Sequence, residues 1–178
     1  ENMTTTYEGG NRKIWFFENV DKKAAMEIKE PVTVTTETDQ TVYIGKIDGT
    51  ANQVVVMIPA KCKAVTINSC KKVAIVCEDV VARIEIVNSQ KIQIQINGAV
   101  PIIQVDKTDQ TTCYLSAACQ ALSPSTLVYS SGCTGVNIVT PTADGEDQKE
   151  NPVPEQICSY VDSAGKMQSK IIVAGESE

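Results

Sequence analysis

The side chains able to do covalent or metal chemistry are few, and their spacing does not suit it. Seven cysteines lie at intervals of 8, 7, 36, 6, 14 and 25 residues. No Cys-x-x-Cys pair occurs, so neither a zinc ribbon nor a redox dithiol is expected. The chain has no histidine. That removes the Ser-His-Asp and Cys-His nucleophilic arrangements and the commonest general base near neutral pH. No Gly-Lys-Ser/Thr phosphate loop and no G-x-G-x-x-G motif is present. Asp144, Glu146, Asp147 and Glu150 form an acidic run whose spacing does not match a calcium-binding EF-hand, and a solvated loop is the expectation. The arginines are Arg12 and Arg83, and Glu85 stands without a second carboxylate to complete a glycosidase pair. These absences predict a protein that is not an enzyme, with free thiols kept reduced and buried and no cofactor or metal.

Whatever surface the chain offers must be held by its strands, and these are legible as a repeat. In steps of nineteen residues, Val54, Val73, Ile92 and Thr111 fall in one column. Val56, Ile75, Ile94 and Cys113 form the next, and Ile58, Cys77, Ile96 and Leu115 a third. A second group aligns Val65, Ile84 and Ile103, then Ile67, Ile86 and Val105. Within each group apolar residues alternate with others, the period of a strand whose successive side chains point to opposite faces. A fixed period near twenty residues marks a solenoid whose coils bury one another's faces. The expected fold is therefore all-β, a parallel β-helix of about six coils.

Equivalent corner positions should stack into ladders about 4.8 Å apart. One ladder is Ser69, Asn88 and Lys107; another is Lys72 and Lys91, flanked by Gln53 and Gln110. Before the repeat, residues 1–10 read as a flexible segment, Arg12 to Val20 as a first strand, and Asp21-Lys22-Lys23 as a turn. Further short strands are expected over Glu27 to Glu37 and Thr41 to Ile47, and Trp15 is expected to cap the core. After Leu115, strands are expected at Leu127 to Tyr129 and Val136 to Val139. The polar, proline-bearing stretch from Thr140 to Glu155 is expected to end the solenoid as a loop. Gln156 to Val161 and Met167 to Val173, joined by Asp162 to Lys166, read as a β-hairpin. Such a hairpin is marginal alone, so it must pack on the solenoid end or on another subunit. The organisation is thus 1–10, a solenoid over 11–155, and a hairpin over 156–178. No apolar run is long enough to span a membrane, the first residues do not read as a signal peptide, and a net charge of −6 argues against nucleic acid as a partner.

Several segments in combination resemble the C-terminal domain of the cyclase-associated protein family. They are Asn68-Ser-Cys-Lys-Lys72, Asp79-Val-Val81, Glu85-Ile-Val-Asn-Ser89, Asn97-Gly-Ala-Val-Pro101, Asp106-Lys-Thr-Asp109, Pro141-Thr142, Asp144-Gly145 and Pro152-Val-Pro-Glu-Gln156. The resemblance runs from Tyr7 to Val173. It implies a right-handed parallel β-helix that dimerises by exchanging its C-terminal hairpin. It also implies binding of monomeric actin, preferably ADP-bound, promotion of ADP-for-ATP exchange, and a cytoplasmic, cytoskeleton-associated location. Cyclase binding belongs to the family's N-terminal domain, outside this stretch, and is not carried over. The sequence departs from the family pattern at Asp109-Gln110, where Asp-Gly is expected, and in the acidic residues from Ile171 to Glu178.

Because actin is acidic, a chain that is itself acidic needs a local basic face to meet it. The candidate contact set is Asn68, Lys71, Lys72, Glu85, Asn88, Ser89, Lys91, Gln93, Gln95, Lys107 and Asp109. The candidate dimer contacts are Val153, Ile157, Tyr160, Met167, Ile171 and Val173. The alternative is a GTPase-activating β-helix like tubulin cofactor C, which would require a catalytic arginine, for which Arg83 is the candidate. A carbohydrate-active β-helix ranks last.

Overall fold

The computed structural model describes residues 4–9 and 12–173. Numbered in chain order, one seven-stranded sheet comprises β1 (Thr4–Gly9), β2 (Arg12–Val20), β4 (Gln40–Ile47), β6 (Cys62–Asn68), β8 (Val80–Val87), β10 (Ile102–Asp106) and β12 (Leu127–Ser131). A second comprises β3 (Val32–Thr33), β5 (Val54–Ile58), β7 (Lys71–Cys77), β9 (Gln90–Ile96), β11 (Asp109–Tyr114), β13 (Thr134–Pro141) and β14 (Gln148–Pro152). From β2 to β13, successive strands alternate between the two sheets and pair in parallel with the strands two before and two after. This is the parallel β-helix that the columns imply. Its registers reproduce them: Val73 pairs with Ile92, Ile75 with Ile94, Cys77 with Ile96, and Val65 with Ile84.

The inward residues of both sheets form one core, dominated by fully buried isoleucines such as Ile44, Ile67, Ile86 and Ile94. Each such side chain contributes about 1.5–3 kcal/mol through removal from water, and stacking like on like keeps the packing continuous from coil to coil. Trp15 points inward from β2 and packs against the first layer, its Nε1–H donating to Gln40 Oε1 at 2.9 Å. It belongs to the first parallel layer, with β1 beyond it at the sheet edge.

Five segments differ from the sequence reading. The part of the N-terminal segment that is described is a strand, β1, antiparallel to β2. Asp21-Lys22-Lys23 opens a helix, α1 (Lys22–Met26), rather than a turn, because Asp21 caps it: its Oδ1 accepts from the Ala24 N–H at 2.8 Å. Beyond it, only Val32–Thr33 of the expected strand from Glu27 to Glu37 pairs, against β5. Between β11 and β12, past the regular columns, the chain forms a second helix, α2 (Ala117–Ala121), capped by Ser116 Oγ accepting from Cys119 N–H at 3.3 Å. This alanine-rich insertion lengthens its coil, so Ile102 pairs with Leu127 and the nineteen-residue step ends there. Finally, the stretch from Thr140 to Glu155 is only partly loop. β13 runs to Pro141, the chain turns at Asp144-Gly145, and β14 returns antiparallel on β13, with Pro152 tolerated because β14 is the edge strand.

β15 (Gln156–Val161) and β16 (Met167–Ile172) form the expected hairpin, a two-stranded sheet separate from both solenoid sheets. Among the described residues no helix is long and apolar enough to cross a membrane.

Candidate functional site

The candidate site lies on the corner where each strand of the β2-containing sheet turns into the next strand of the other sheet. Its backbone follows one rule. Ser69 and Lys72, Asn88 and Lys91, Lys107 and Gln110, and Gly132 and Gly135 all have positive φ, between 48° and 65°. Two left-handed residues with two others between them turn the chain and return it to extended structure. The first column also includes Lys46 (φ 53°) and Asn19 (φ 62°).

Between each left-handed pair, the first residue points inward. This column is Cys70, Ser89, Thr108 and Cys133, and its polar atoms bind backbone along the stack. Ser89 Oγ accepts from Cys70 N–H at 3.1 Å and donates to Val87 O at 2.8 Å. The Ser89 N–H donates to Thr108 Oγ1 at 3.3 Å, and Thr108 Oγ1 donates to Asp106 O at 2.9 Å. Ser89 is therefore removed from the expected contact set. It is 2% exposed, and its hydroxyl is fully used inside the corner.

The other expected contacts divide among three places. Lys71, Lys72, Asn88, Lys91, Lys107 and Asp109 are exposed together on the corner ridge. Asp109 Oδ1 accepts a hydrogen bond from Thr134 Oγ1, and the Gly135 N–H donates to Glu155 Oε1 at 2.5 Å, so the Pro-Val-Pro-Glu segment closes the last rung. Asn68 and Glu85 are half-buried on the outer side of the β2-containing sheet. Asn68 Nδ2 donates to the Tyr43 hydroxyl at 3.0 Å, and Glu85 Oε2 lies 3.7 Å from Arg83 Nε. Gln93 and Gln95 are exposed on the outer side of the other sheet, where Gln95 Nε2 donates to Asn97 Oδ1 at 3.0 Å. Since both sheets turn their alternate side chains into one core, their outer sides face opposite ways. One flat partner surface can meet the ridge with either pair, not with both.

Sequence reasoning missed Lys46 and Lys22. Gly45 pairs with Asn68, which puts Lys46 in the Ser69 column. Its coil is longer than nineteen residues, so a fixed step passes over it. Asn19, Lys22, Lys46, Asp48, Ser69 and Lys71 line a recess of about 400 Å³ at this end of the ridge. The Asp48 carboxyl is held below its usual range, first by the Thr50 hydroxyl at 2.5 Å and Thr50 N–H at 3.0 Å, then by Lys22 and Lys71. Gly49 is needed there, because a Cβ would come within 2.3 Å of Lys72 O.

All seven cysteines are free, and five are buried. Burial pushes Cys62 and Cys70 up to about 11 and Cys113 up to about 12, and it raises Cys77 further. Cys77 and Cys113 sit in the inward columns as expected, as small apolar residues whose thiolates are suppressed.

On the hairpin, Ile157 pairs with Ile171, Ser159 with Ser169, and Val161 with Met167, so these six residues share one face. Ile157, Met167 and Ile171 are 66%, 67% and 62% exposed. Tyr160 pairs with Gln168 and belongs to the other face. Val153 is half-buried against the solenoid core, and its N–H donates to Val136 O at 2.9 Å, so it fastens the solenoid end. Val173 follows β16, and the acidic residues beyond it lie outside the described residues.

Fold and surface define a parallel β-helix with a lysine-bearing corner and a trailing apolar hairpin. The model of the family described as adenylate cyclase associated (CAP) C terminal matches residues 4–174, and the chain belongs to that family. It is 35% identical over 144 residues to adenylyl cyclase-associated protein 1 of Homo sapiens, covering 81% of this chain and 27% of that protein. It is 36% identical over 129 residues to the adenylyl cyclase-associated protein of Dictyostelium discoideum, covering 72% of this chain and 26% of that protein. The crystal structure of cyclase-associated protein from Cryptosporidium parvum superposes with a TM-score of 0.77 at 22% identity, covering 96% of this chain and all of that one, and shows the same fold.

Proposed function

We propose that this chain binds monomeric actin, preferring the ADP-bound form, and promotes exchange of its nucleotide, so that monomers return to filament growth. The observation that carries this reading is the family match across nearly the whole chain. The lysine ridge supports it by supplying the basic surface that an acidic partner requires on a chain of net charge −6. A binder that speeds nucleotide release must bind the transition state for release more tightly than the ADP-bound monomer. The solenoid provides a rigid, preorganised frame for this and acts by binding, without catalytic residues of its own. The place of action is the cytoplasm, in association with the cytoskeleton.

The working form under this reading is a homodimer in which each hairpin crosses to the other copy and buries its Ile157, Val161, Met167 and Ile171 face. Two actin sites per dimer would then act together. The GTPase-activating alternative would require Arg83 to leave Glu85. The test is release of a fluorescent nucleotide from ADP-actin into excess ATP. Micromolar protein accelerates release in a salt-sensitive manner, and an unchanged rate at all concentrations up to the solubility limit refutes the reading.

A further inference from the structure

Among the described residues, four of the eight non-glycine positions with positive φ are lysines, namely Lys46, Lys72, Lys91 and Lys107. A left-handed backbone brings the Cβ of an L-residue against its own carbonyl, and only glycine, asparagine and aspartate adopt it readily. The fold does not ask for lysine here. Asn88 and Gly132 occupy the same column as Lys46 and Lys107, and Gly135 occupies that of Lys72 and Lys91. None of the four makes an ion pair among the described residues, and all are exposed. Lys72 and Lys91 stand on neighbouring rungs, about 4.8 Å apart, where like charges repel. Lysine is thus held at all four positions against backbone preference, and at Lys72 and Lys91 against like-charge repulsion too, with no ion pair among the described residues. The corner uses the left-handed backbone to turn the chain, but a side chain that adds strain there without serving the turn points to a ligand.

We propose that these four left-handed lysines are the charge-reading part of the binding surface and dock an acidic protein face. This rests on the reading of the chain as a protein-binding module and sharpens it by adding Lys46 and by separating the four from the other surface lysines. Asp48 and Asp109 stand among them, so the ridge carries both signs. That suits the discrete carboxylates of a protein better than the continuous phosphates of a nucleic acid.

The test compares two quadruple variants of the full chain. One replaces Lys46, Lys72, Lys91 and Lys107 by Asn; the other replaces Lys61, Lys63, Lys149 and Lys166, which are exposed with ordinary backbone, by Asn. Both lose the same charge. Binding is measured to labelled monomeric actin, to a fluorescent Asp/Glu-rich peptide and to duplex DNA, and Tm is recorded. The ridge variant is expected to lose roughly tenfold or more in affinity for actin and for the peptide. Its Tm should stay level or rise by roughly 2–4 °C as backbone strain is relieved. The control variant keeps its affinities within about twofold. Unchanged binding in the ridge variant overturns the proposal, as does a Tm fall of several degrees, which would make the lysines structural. DNA binding as tight as peptide binding overturns it too. If the wild type binds the peptide through the ridge but ignores actin, the actin reading fails and the ridge stands.

Discussion

Replacing Ser89 by Ala tests whether this residue belongs to the surface or to the frame. The substitution deletes the hydroxyl that accepts from Cys70 N–H at 3.1 Å and donates to Val87 O at 2.8 Å. Val87 O keeps the Ser69 N–H at 3.0 Å, but the buried Cys70 N–H is left without a partner, which costs about 1–3 kcal/mol. One orphaned donor gives an expected destabilisation of about 1–3 kcal/mol. For a chain of 178 residues, each kcal/mol moves Tm by roughly 2–4 °C, so a drop of about 2–12 °C follows. Urea titration followed by Trp15 fluorescence, at one fixed protein concentration because association shifts apparent stability, measures the free energy directly. Ser89→Thr should retain most of the stability, because Thr108 makes the same contacts one coil further on. Actin binding by the folded Ala variant should match the wild type. A stability change under about 0.5 kcal/mol, or a selective loss of binding at full stability, would refute the account of the corner.

Thr111 makes the opposite case. Its Oγ1 is buried without a hydrogen-bond partner in a column otherwise filled by Val54, Val73, Ile92 and Val136, so Thr111→Val should stabilise by about 1–2 kcal/mol in the same titration. On the hairpin, Ile171→Asp should halve the mass seen by light scattering, whereas Tyr160→Asp, on the other face, should leave it much less changed; an unaltered mass for the Ile171→Asp variant would rule out hairpin exchange through that face. The buried thiols set an alkaline limit. Their folded pKa values are raised from 9.0, to about 11 for Cys62 and Cys70. Their stabilising effect is complete below about pH 9 and is lost as pH climbs toward 11, because the unfolded chain ionises first. Stability that stays flat from pH 8 to roughly 11 would contradict this.

The stacked frame was written in the spacing of the residues alone. Rungs of a solenoid sit in equivalent surroundings, so burial selects similar side chains at each, and the Val73–Ile92 and Val65–Ile84 registers can be read from spacing. The hairpin was legible for a related reason, as two apolar alternations around a turn. The corners and ends needed the folded chain. Ser89 looks like a surface polar residue, and nothing in its type reveals that it stands between two left-handed residues that turn it inward. Lys46 escaped the step because its coil is longer. α2 escaped because a short alanine-rich insertion has no partner on the neighbouring coil to mark it. The division of Glu85 from Gln93 between opposite outer faces also needed three dimensions. The strand period says which residues leave the core, but the side of the solenoid on which they emerge depends on how the corner folds one sheet over the other.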